Sequence, residues 1–255
     1  MSQQSSPVSP TTARQEPATA THCDRAALLA ALLQVSDASC AVSDALDQLG
    51  VGAAIGAGIL APLRRGQRIC GSAVTLRYRR LTGEVVDNRA DGLGARLGDR
   101  DLYSTARPGD VAVFDCPAPA DTAVVGALSA QWALLAGLAG CVVGGAVRDS
   151  VSIVDSGLPV WAMARAPQAA RFRYATESIG EPVRLAGRLV HPGDIIVADD
   201  DGVAVIPADM LFDVVTICVE TDRIEHELLA QLRSSDSIAD LMGKLRQRPV
   251  SVFDR

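Results

Sequence analysis

The chain has 255 residues, of which 48% are hydrophobic but only 4% aromatic, and it carries a net charge of −6. This length suits one large domain or two small ones, and the composition predicts a core of Ala, Val, Leu and Ile. The negative charge argues against a nucleic-acid partner bound through its phosphates. No apolar run is long enough to cross a membrane, and the N-terminus lacks the basic-then-apolar order of a signal peptide.

Cysteine and histidine usage favours a cytoplasmic protein without a zinc site. None of the six cysteines forms a C-x-x-C pair, and several lie in apolar runs, so we expect reduced thiols in the core. The three histidines lie far apart in the sequence, which does not fit the usual ligand spacing of zinc.

The N-terminal quarter begins with a stretch that is poor in large apolar residues. Residues 1–22 are therefore predicted to be a disordered tail, and residues 23–255 a single domain that ends in a helical segment. Helical apolar spacing predicts a first helix over 24–35, and a second helix opens at Ser43 as its cap and closes at Gly50. The glycines that follow have the wrong spacing for a dinucleotide-binding loop and indicate a turn.

The middle of the chain predicts a strand over 67–76 and then a polar stretch over 86–103. That stretch is interpreted either as a helix that contributes few residues to the core or as a mobile loop. Arg107-Pro-Gly-Asp110 is a turn signal, and a strand follows over 111–114.

The segment 111–163 predicts a βαβαβ unit with parallel strands. A helix runs from about Gly126 to Ala139, with Leu128, Trp132 and Leu135 on one face, and Gly140 ends it. The next strand is Cys141-Val142-Val143, which Gly144 and Gly145 terminate. Ser150–Ser156 then forms a short helix, and a further strand starts near Leu158.

The C-terminal third predicts short strands over 183–190, 195–198 and 203–206, followed by an amphipathic helix over 208–233. Two hairpin-type turns separate the strands, at 191–194 and at 199–202. His191-Pro-Gly-Asp194 shares the Pro-Gly-Asp motif of residues 107–110, which suggests that the same strand-turn-strand arrangement occurs twice. We favour a turn over a metal site for Asp199-Asp200-Asp201.

The candidate site is Arg148-Asp149, at the predicted carboxyl end of a parallel strand, where open α/β sheets bind ligands. A structural interpretation is also open: Asp149 as the N-cap of the next helix, and Arg148 as a solvated charge. The start of the preceding helix, Gly126 to Ser129 (Gly126, Ala127, Leu128, Ser129), would present free N–H groups to an anion at the same sheet edge.

Together these parts fit a small 2-oxo acid and a divalent metal. Arg148 can hold a carboxylate bidentately, and Asp149 is a hard oxygen ligand suited to Mg²⁺ or Mn²⁺. A metal beside the keto oxygen would stabilise an enolate, which is the chemistry of retro-aldol cleavage or of decarboxylation next to a ketone.

The sequence resembles the RraA-like family, which includes the class II 4-hydroxy-4-methyl-2-oxoglutarate aldolases. The resemblance runs from about Ser43 to Leu241 and rests on Gly145-Ala-Val-Arg-Asp149, the Arg-Pro-Gly-Asp turn at 107–110, and the stretch from Pro192 to Pro207. It implies an α/β domain of the swivelling β/β/α type with a central βαβαβ unit and additional β-hairpins. It also implies a ring-shaped homotrimer or homohexamer with sites between subunits.

The same resemblance assigns roles to residues. Arg148 would bind the substrate carboxylate, Asp149 the metal, and the helix start 126–129 the substrate, while Glu225 is the candidate acid reaching in from a neighbouring subunit. Two positions depart from the family pattern: Gly144 stands where many members have Asp, and Ala127 where authentic aldolases can carry an acid. The leading hypothesis is a Mg²⁺- or Mn²⁺-dependent lyase acting on a 2-oxo dicarboxylic acid. The alternative is a non-catalytic regulator that binds a protein such as a ribonuclease.

Overall fold

The computed structural model describes residues 24–52 and 54–246. The predicted tail over 1–22 therefore lies outside the described residues. In order, the strands are β1 (Ala54–Gly56), β2 (Ala61–Pro62), β3 (Ile69–Arg80), β4 (Val111–Asp115), β5 (Ala123–Val125), β6 (Gly140–Val147), β7 (Val160–Arg165), β8 (Tyr174–Ile179), β9 (Val183–Leu185), β10 (Arg188–Val190), β11 (Ile195–Ala198) and β12 (Gly202–Ile206). The helices are α1 (Arg25–Leu32), α2 (Ala38–Gln48), α3 (Val85–Ala90), α4 (Asp99–Thr105), α5 (Ala127–Leu135), α6 (Ser150–Ser156), α7 (Leu211–Arg233) and α8 (Ile238–Arg246).

A mixed sheet organises the chain into an α/β domain. Its strand order is β1-β12-β11-β3-β4-β6-β7-β2, with β5 paired to β6 and β8 to β3. The long strand β3 joins two halves of this sheet, because its first residues pair antiparallel with β11 and its later ones parallel with β4. The predicted βαβαβ unit is confirmed: β4, β6 and β7 run parallel, with α5 and α6 between them.

The two glycines before the Arg-Asp pair do not end a strand, so that prediction is wrong. Strand β6 runs through them to Val147, while its register against β7 shifts between Val143 and Ala146. A Cβ at Gly144 would lie 2.9 Å from the Phe114 carbonyl oxygen, and one at Gly145 would lie 2.6 Å from the Cys116 Cβ. The glycines therefore let neighbouring backbone and side chains approach within the sheet.

Helix α2 begins before the predicted cap. It starts at Ala38, with Asp37 at the N-cap position, and Ser43 lies within it. A tertiary contact sets this start: the Ser39 N–H donates to the buried Asp199 carboxylate at 2.8 Å, a partner 160 residues away in the sequence. Gly50, with a φ of 75°, follows the end of the helix as predicted.

Three further boundaries differ from the sequence predictions. Residues 183–190 form a two-stranded hairpin rather than one strand, because Ala186 and Gly187 both have positive φ angles and turn the chain. The turn at 191–194 joins β10 to β11, which are not paired, whereas the turn at 199–202 does join the paired strands β11 and β12. Helix α5 ends at Leu135, and Gly140 is the first residue of β6.

The repeated Pro-Gly-Asp phrases do form the same turn. In each, the final aspartate accepts a hydrogen bond from the backbone N–H three residues earlier: Asp110 from Arg107 and Asp194 from His191, both at 2.7 Å. The polar stretch 86–103, for its part, contains two short helices, α3 and α4, separated by a loop.

The core consists of three clusters of buried apolar side chains. One lies between α4, α5 and strands β3 to β7, a second beneath α1, α2 and α7, and a third among the strands from β1 to β12. Only the first turns of α7 are buried, at Leu211, Val214, Val215 and Cys218.

The five described cysteines are free thiols, and Cys40 is exposed rather than in the core as predicted. Over the described part of the chain, no helix is long and apolar enough to cross a membrane.

Candidate functional site at the end of strand β6

Arg148 and Asp149 follow the last residue of β6 and precede α6. Asp149 occupies the N-cap position of α6 with left-handed backbone angles (φ 55°, ψ 36°), which its short polar side chain tolerates. Its carboxylate does not cap that helix. Instead, Asp149 Oδ2 accepts a hydrogen bond from the Ala127 N–H at 3.2 Å, at the start of α5. The N-cap interpretation of its side chain is therefore wrong.

The start of α5 and the Arg-Asp pair are in direct contact. Arg148 Nε lies 3.5 Å from Asp149 Oδ2, and the side chains are 44% and 41% exposed, so solvent reaches both. The Arg148 N–H donates to the Val125 carbonyl at 3.0 Å, which fixes the pair to the strand that leads into α5. A Cβ at Gly126 would lie 2.8 Å from Asp149 Oδ2 and 3.2 Å from Arg148 Nε. Glycine at this position therefore allows the start of α5 to pack directly against the Arg-Asp pair.

The other residues of the predicted helix start have different environments. Leu128 is exposed, whereas Ser129 is buried and its Oγ lies 3.0 Å from the Tyr103 hydroxyl. Burial raises the pKa of Tyr103 well above its usual value, so this hydroxyl stays protonated at neutral pH. Ser129 therefore presents only its backbone N–H to the sheet edge. The fold brings Gly126, Ala127, Arg148 and Asp149 together.

Glu225 does not join this group within one chain. It lies on α7 and lines a cavity of about 210 Å³ with Asp44, Asp201 and Asp222, and neither Arg148 nor Asp149 lines that cavity. Any role at the site would require the Glu225 of another subunit.

Two cavities adjoin the Arg-Asp pair and the start of α5. One, of about 320 Å³, is lined by residues 147–150 and 165–167. The other, of about 370 Å³, lies against the first turn of α5 and is lined by residues 95–97, Asp99, Arg100, Leu128, Ser129 and Arg171. Sequence reasoning missed Arg100 and Arg171; the only signal was the polar, Arg-rich composition of 86–103, which gave no position.

Asp121 lies in the loop before β5 and does not replace the acid that is missing at position 127. Its carboxylate accepts hydrogen bonds from Arg80, at 2.9 Å, and from Thr122. The Arg80 guanidinium holds the pKa of Asp121 below its usual value. A carboxylate of lowered pKa is a poor proton acceptor, so Asp121 is not suited to act as a general base here.

The donor set at this sheet edge suits one type of metal. Among the described residues, no cluster of three His, Cys, Asp or Glu side chains is arranged to hold an ion. Mg²⁺ is commonly bound through one or two carboxylates, with water and substrate oxygens completing the octahedron. Asp149, half-exposed beside a cavity, fits that pattern.

Residues 39–205 match the sequence model of the RraA-like family, described as Aldolase/RraA. The chain belongs to the RraA-like family. This assignment covers the described site from the start of α5 through Asp149 and agrees with the family motifs in the sequence.

Relatives of this RraA-like protein differ in length and name. Protein DlpA of Legionella pneumophila is 32% identical over 204 residues, which are 78% of this chain but only 31% of that protein. A Halalkalibacterium halodurans protein, provisionally named a 4-hydroxy-4-methyl-2-oxoglutarate aldolase, is 30% identical over 65% of this chain and 70% of its own length. An uncharacterised Methanocaldococcus jannaschii protein is 31% identical over 48% of this chain and 59% of its own.

Solved structures support the fold. Streptomyces coelicolor RraAS2, described as an unusual member of the RNase ES inhibitor RraA protein family, has a TM-score of 0.66 and 26% identity, over 78% of this chain and 94% of its own. An uncharacterised Pseudomonas syringae protein has a TM-score of 0.72 over 92% of this chain and all of its own; at 22% identity it shows the fold alone.

Proposed function

We propose that this RraA-like protein is a lyase that depends on Mg²⁺ or Mn²⁺ and cleaves a 2-oxo dicarboxylic acid, by retro-aldol reaction to pyruvate or by decarboxylation of oxaloacetate. One observation carries the proposal: at the end of a parallel strand, the Arg148 guanidinium and the Ala127 N–H lie 3.5 Å and 3.2 Å from the same Asp149 carboxylate oxygen. The 30% identity to the provisionally named aldolase supports the same reaction class.

Arg148 is proposed to bind the carboxylate next to the keto group. Its planar guanidinium can form two parallel hydrogen bonds to a carboxylate, and its backbone is held by Val125. The N–H groups of Leu128 and Ser129 have no acceptor within α5, since the first backbone bond of that helix runs from Ala130 to Gly126. They are free to donate to the same anion.

Asp149 is proposed to be the protein ligand of the metal. When bound there, Mg²⁺ supplies a Lewis acid beside the keto group. The hydrogen bond from Ala127 orients the carboxylate toward the helix start, and Gly126 allows the two elements to approach each other closely.

Proton transfer is the weakest part of this arrangement. Position 127 carries a methyl group, and the nearby acid Asp121 is engaged with Arg80. A water molecule must then move the proton, and we expect slower aldol cleavage than in relatives with an acid at position 127. Decarboxylation of oxaloacetate breaks the C–C bond without a proton abstraction by the enzyme, and the pyruvate enolate that remains can take its proton from water, so this reaction tolerates Ala127 better.

We also propose a homotrimer or homohexamer in which the α5 face is covered. Leu128, Trp132 and Leu135 are 74%, 43% and 83% exposed on a helix that begins at the site. In such an assembly Glu225 of one subunit would assist the site of the next.

A second function is a non-catalytic regulator that binds a protein partner. The absence of an acid at Ala127 favours it, as does the resemblance to S. coelicolor RraAS2. A pure binder has no need of the Asp149 carboxylate, so substitution of that residue separates the two functions.

The test is an assay of oxaloacetate decarboxylation and of 4-hydroxy-2-oxo acid cleavage, with and without Mg²⁺. Asp149→Ala should abolish turnover with no rescue by added metal, and Arg148→Lys should lower kcat/KM by roughly ten- to a hundredfold, because lysine lacks the planar fork. The exposed Arg188→Lys, in the β9–β10 hairpin, is the control. Normal turnover per folded molecule of both site variants would contradict the proposal.

A further inference from the structure

We propose that the 370 Å³ cavity beside the first turn of α5 binds the distal carboxylate of the substrate, through Arg100 and Arg171. This inference rests on the proposed function, because it places the 2-oxo end of the molecule at Arg148 and Asp149. It makes these two arginines the determinants of selectivity for diacids over monoacids.

The position of the cavity fits the length of such a substrate. Its wall includes Leu128 and Ser129, one and two residues beyond Ala127, whose N–H contacts Asp149. One helical turn rises about 5.4 Å. The two carboxyl carbons of an extended five-carbon diacid are separated by about 5 Å, given bonds of about 1.5 Å. Leu128 and Ser129 lie within that first turn, so a substrate held at Arg148 by one end would direct its other end toward this cavity.

The charges that line the cavity favour an anion. Of its three arginines, Arg96 is already paired with Asp101 in a salt bridge. Arg100 and Arg171 form no salt bridge with any described residue. Asp99 is the one carboxylate among the lining residues, so the wall keeps a net positive charge that a second carboxylate would neutralise.

Arg100 and Arg171 are also held in place by aromatic rings. The Arg100 guanidinium carbon lies 5.0 Å from the centre of the Trp132 ring, and that of Arg171 lies 4.9 Å from the Phe172 ring. Arg171 Nε donates to the Ala95 carbonyl at 3.1 Å, which leaves its terminal nitrogens without a partner among the described residues. Stacked guanidinium groups lose less freedom when they bind a carboxylate, so they suit recognition.

The experiment compares two ligands that differ at the distal end. Calorimetry with Mg²⁺ gives dissociation constants for 2-oxoglutarate and for 2-oxohexanoate, whose distal end is an alkyl chain. The wild-type protein should bind the diacid at least tenfold more tightly. The ratio of the two dissociation constants measures this preference for the diacid. Arg100→Gln and Arg171→Gln should each lower the ratio by roughly ten- to a hundredfold, or to unity if the wild-type ratio is smaller, because each variant loses a charge-assisted hydrogen bond.

Two further variants make the test two-sided. Asp99→Asn should raise the ratio, because it removes the like charge from the wall, and Arg188→Gln should leave the ratio unchanged. Equal ratios in the wild type and in both arginine variants would overturn the subsite while leaving the proposed function intact. Failure of the wild type to bind either acid in the presence of Mg²⁺ would overturn both.

Discussion

At the scale of single residues, Gly126 is the position on which the geometry of the site depends most. Its backbone angles (φ −136°, ψ −172°) are extended and open to any residue, so the need for glycine comes from space alone. A methyl group there would lie 2.8 Å from Asp149 Oδ2. Packing at the site, not backbone strain, excludes a side chain.

Gly126→Ala should therefore damage activity without much effect on folding. We expect kcat/KM to fall at least tenfold, because displacement of reacting groups by about 1 Å is costly, while the free energy of unfolding changes by less than about 1 kcal/mol. Enzyme assays and urea unfolding measure the two effects.

Gly50→Ala is the matched control for Gly126→Ala. Gly50 has a φ of 75°, and no atom lies within 4 Å of the place that a Cβ would occupy, so this variant should cost about 1 kcal/mol of stability and leave turnover normal. If Gly126→Ala instead behaves like Gly50→Ala, the space at the helix start has no role in the reaction.

Ala127 permits a gain-of-function test. Ala127→Asp would place an acid at the first position of α5, where the helix dipole also favours a negative charge. We expect kcat for retro-aldol cleavage to rise by at least tenfold, as general acid–base catalysis provides. Ala127→Asn, which cannot titrate, should give no gain, and equal rates for the two variants would argue against a missing acid.

At the scale of elements, the two Pro-Gly-Asp turns share a geometry but differ in burial. Asp110 accepts one backbone hydrogen bond in a partly exposed turn. Asp194 is buried and accepts two, from His191 and from Ala208, so it links the turn to the start of the last helical region.

Asp194→Ala should consequently destabilise the protein more than Asp110→Ala. Loss of the buried carboxylate leaves two N–H groups unsatisfied and should cost roughly 2–4 kcal/mol, against about 1 kcal/mol for Asp110. Urea denaturation midpoints at constant m-value provide the comparison. Equal losses would show that burial does not distinguish the two turns.

Local patterns predicted the elements well where the determinants are local. The apolar runs and turn signals of 111–163 were sufficient for the βαβαβ unit, and the Asp of each Pro-Gly-Asp phrase bonds three residues back. The start of α2 was mispredicted because Asp199, distant in sequence, fixes it. The strand through Gly144 and Gly145 was missed because the close approach of Phe114 and Cys116, not a turn, requires those glycines.

The candidate site was likewise predictable only for those residues whose positions follow from local sequence patterns. Arg148, Asp149 and the start of α5 were foreseen because strand ends of a parallel unit meet at one edge. Arg100 and Arg171 were not, since Arg100 lies in the first turn of the short helix α4, whose position depends on the loop before it, and Arg171 lies in the connection after β7. Neither segment has a periodic pattern from which its path can be derived.

At the scale of the whole molecule, the exposed face of α5 is where we expect assembly. Isolated exposed apolar residues are ordinary, but Leu128, Trp132 and Leu135 form a contiguous row on one helix. In α5 the small residues Ala130 and Ala133 and the polar Ser129 face the core instead. Because these residues face the core, the helical periodicity places the apolar row on the outward face of α5.

Leu135→Glu should break the assembly without unfolding the subunit. A charge at a position that is 83% exposed costs little in a monomer, but much inside an interface. Light scattering at matched concentration should show a smaller particle than the wild type. Val86→Glu, at a 77% exposed position on α3, is the control and should leave the size unchanged. A wild type that is already monomeric would refute the proposed oligomer.

The attachment of the Arg-Asp pair has an evolutionary consequence. Backbone bonds fix the pair to β5 and β6, whereas half of the residues that line the 370 Å³ cavity lie in two loops, at 95–97 and at Arg171. If the cavity holds the distal end of the substrate as proposed, insertions or substitutions in those loops would alter which side chain of a substrate is accepted while Arg148 and Asp149 stay in place. Divergence within such a lineage, or a directed library confined to those two loops, should change substrate range far more readily than reaction type.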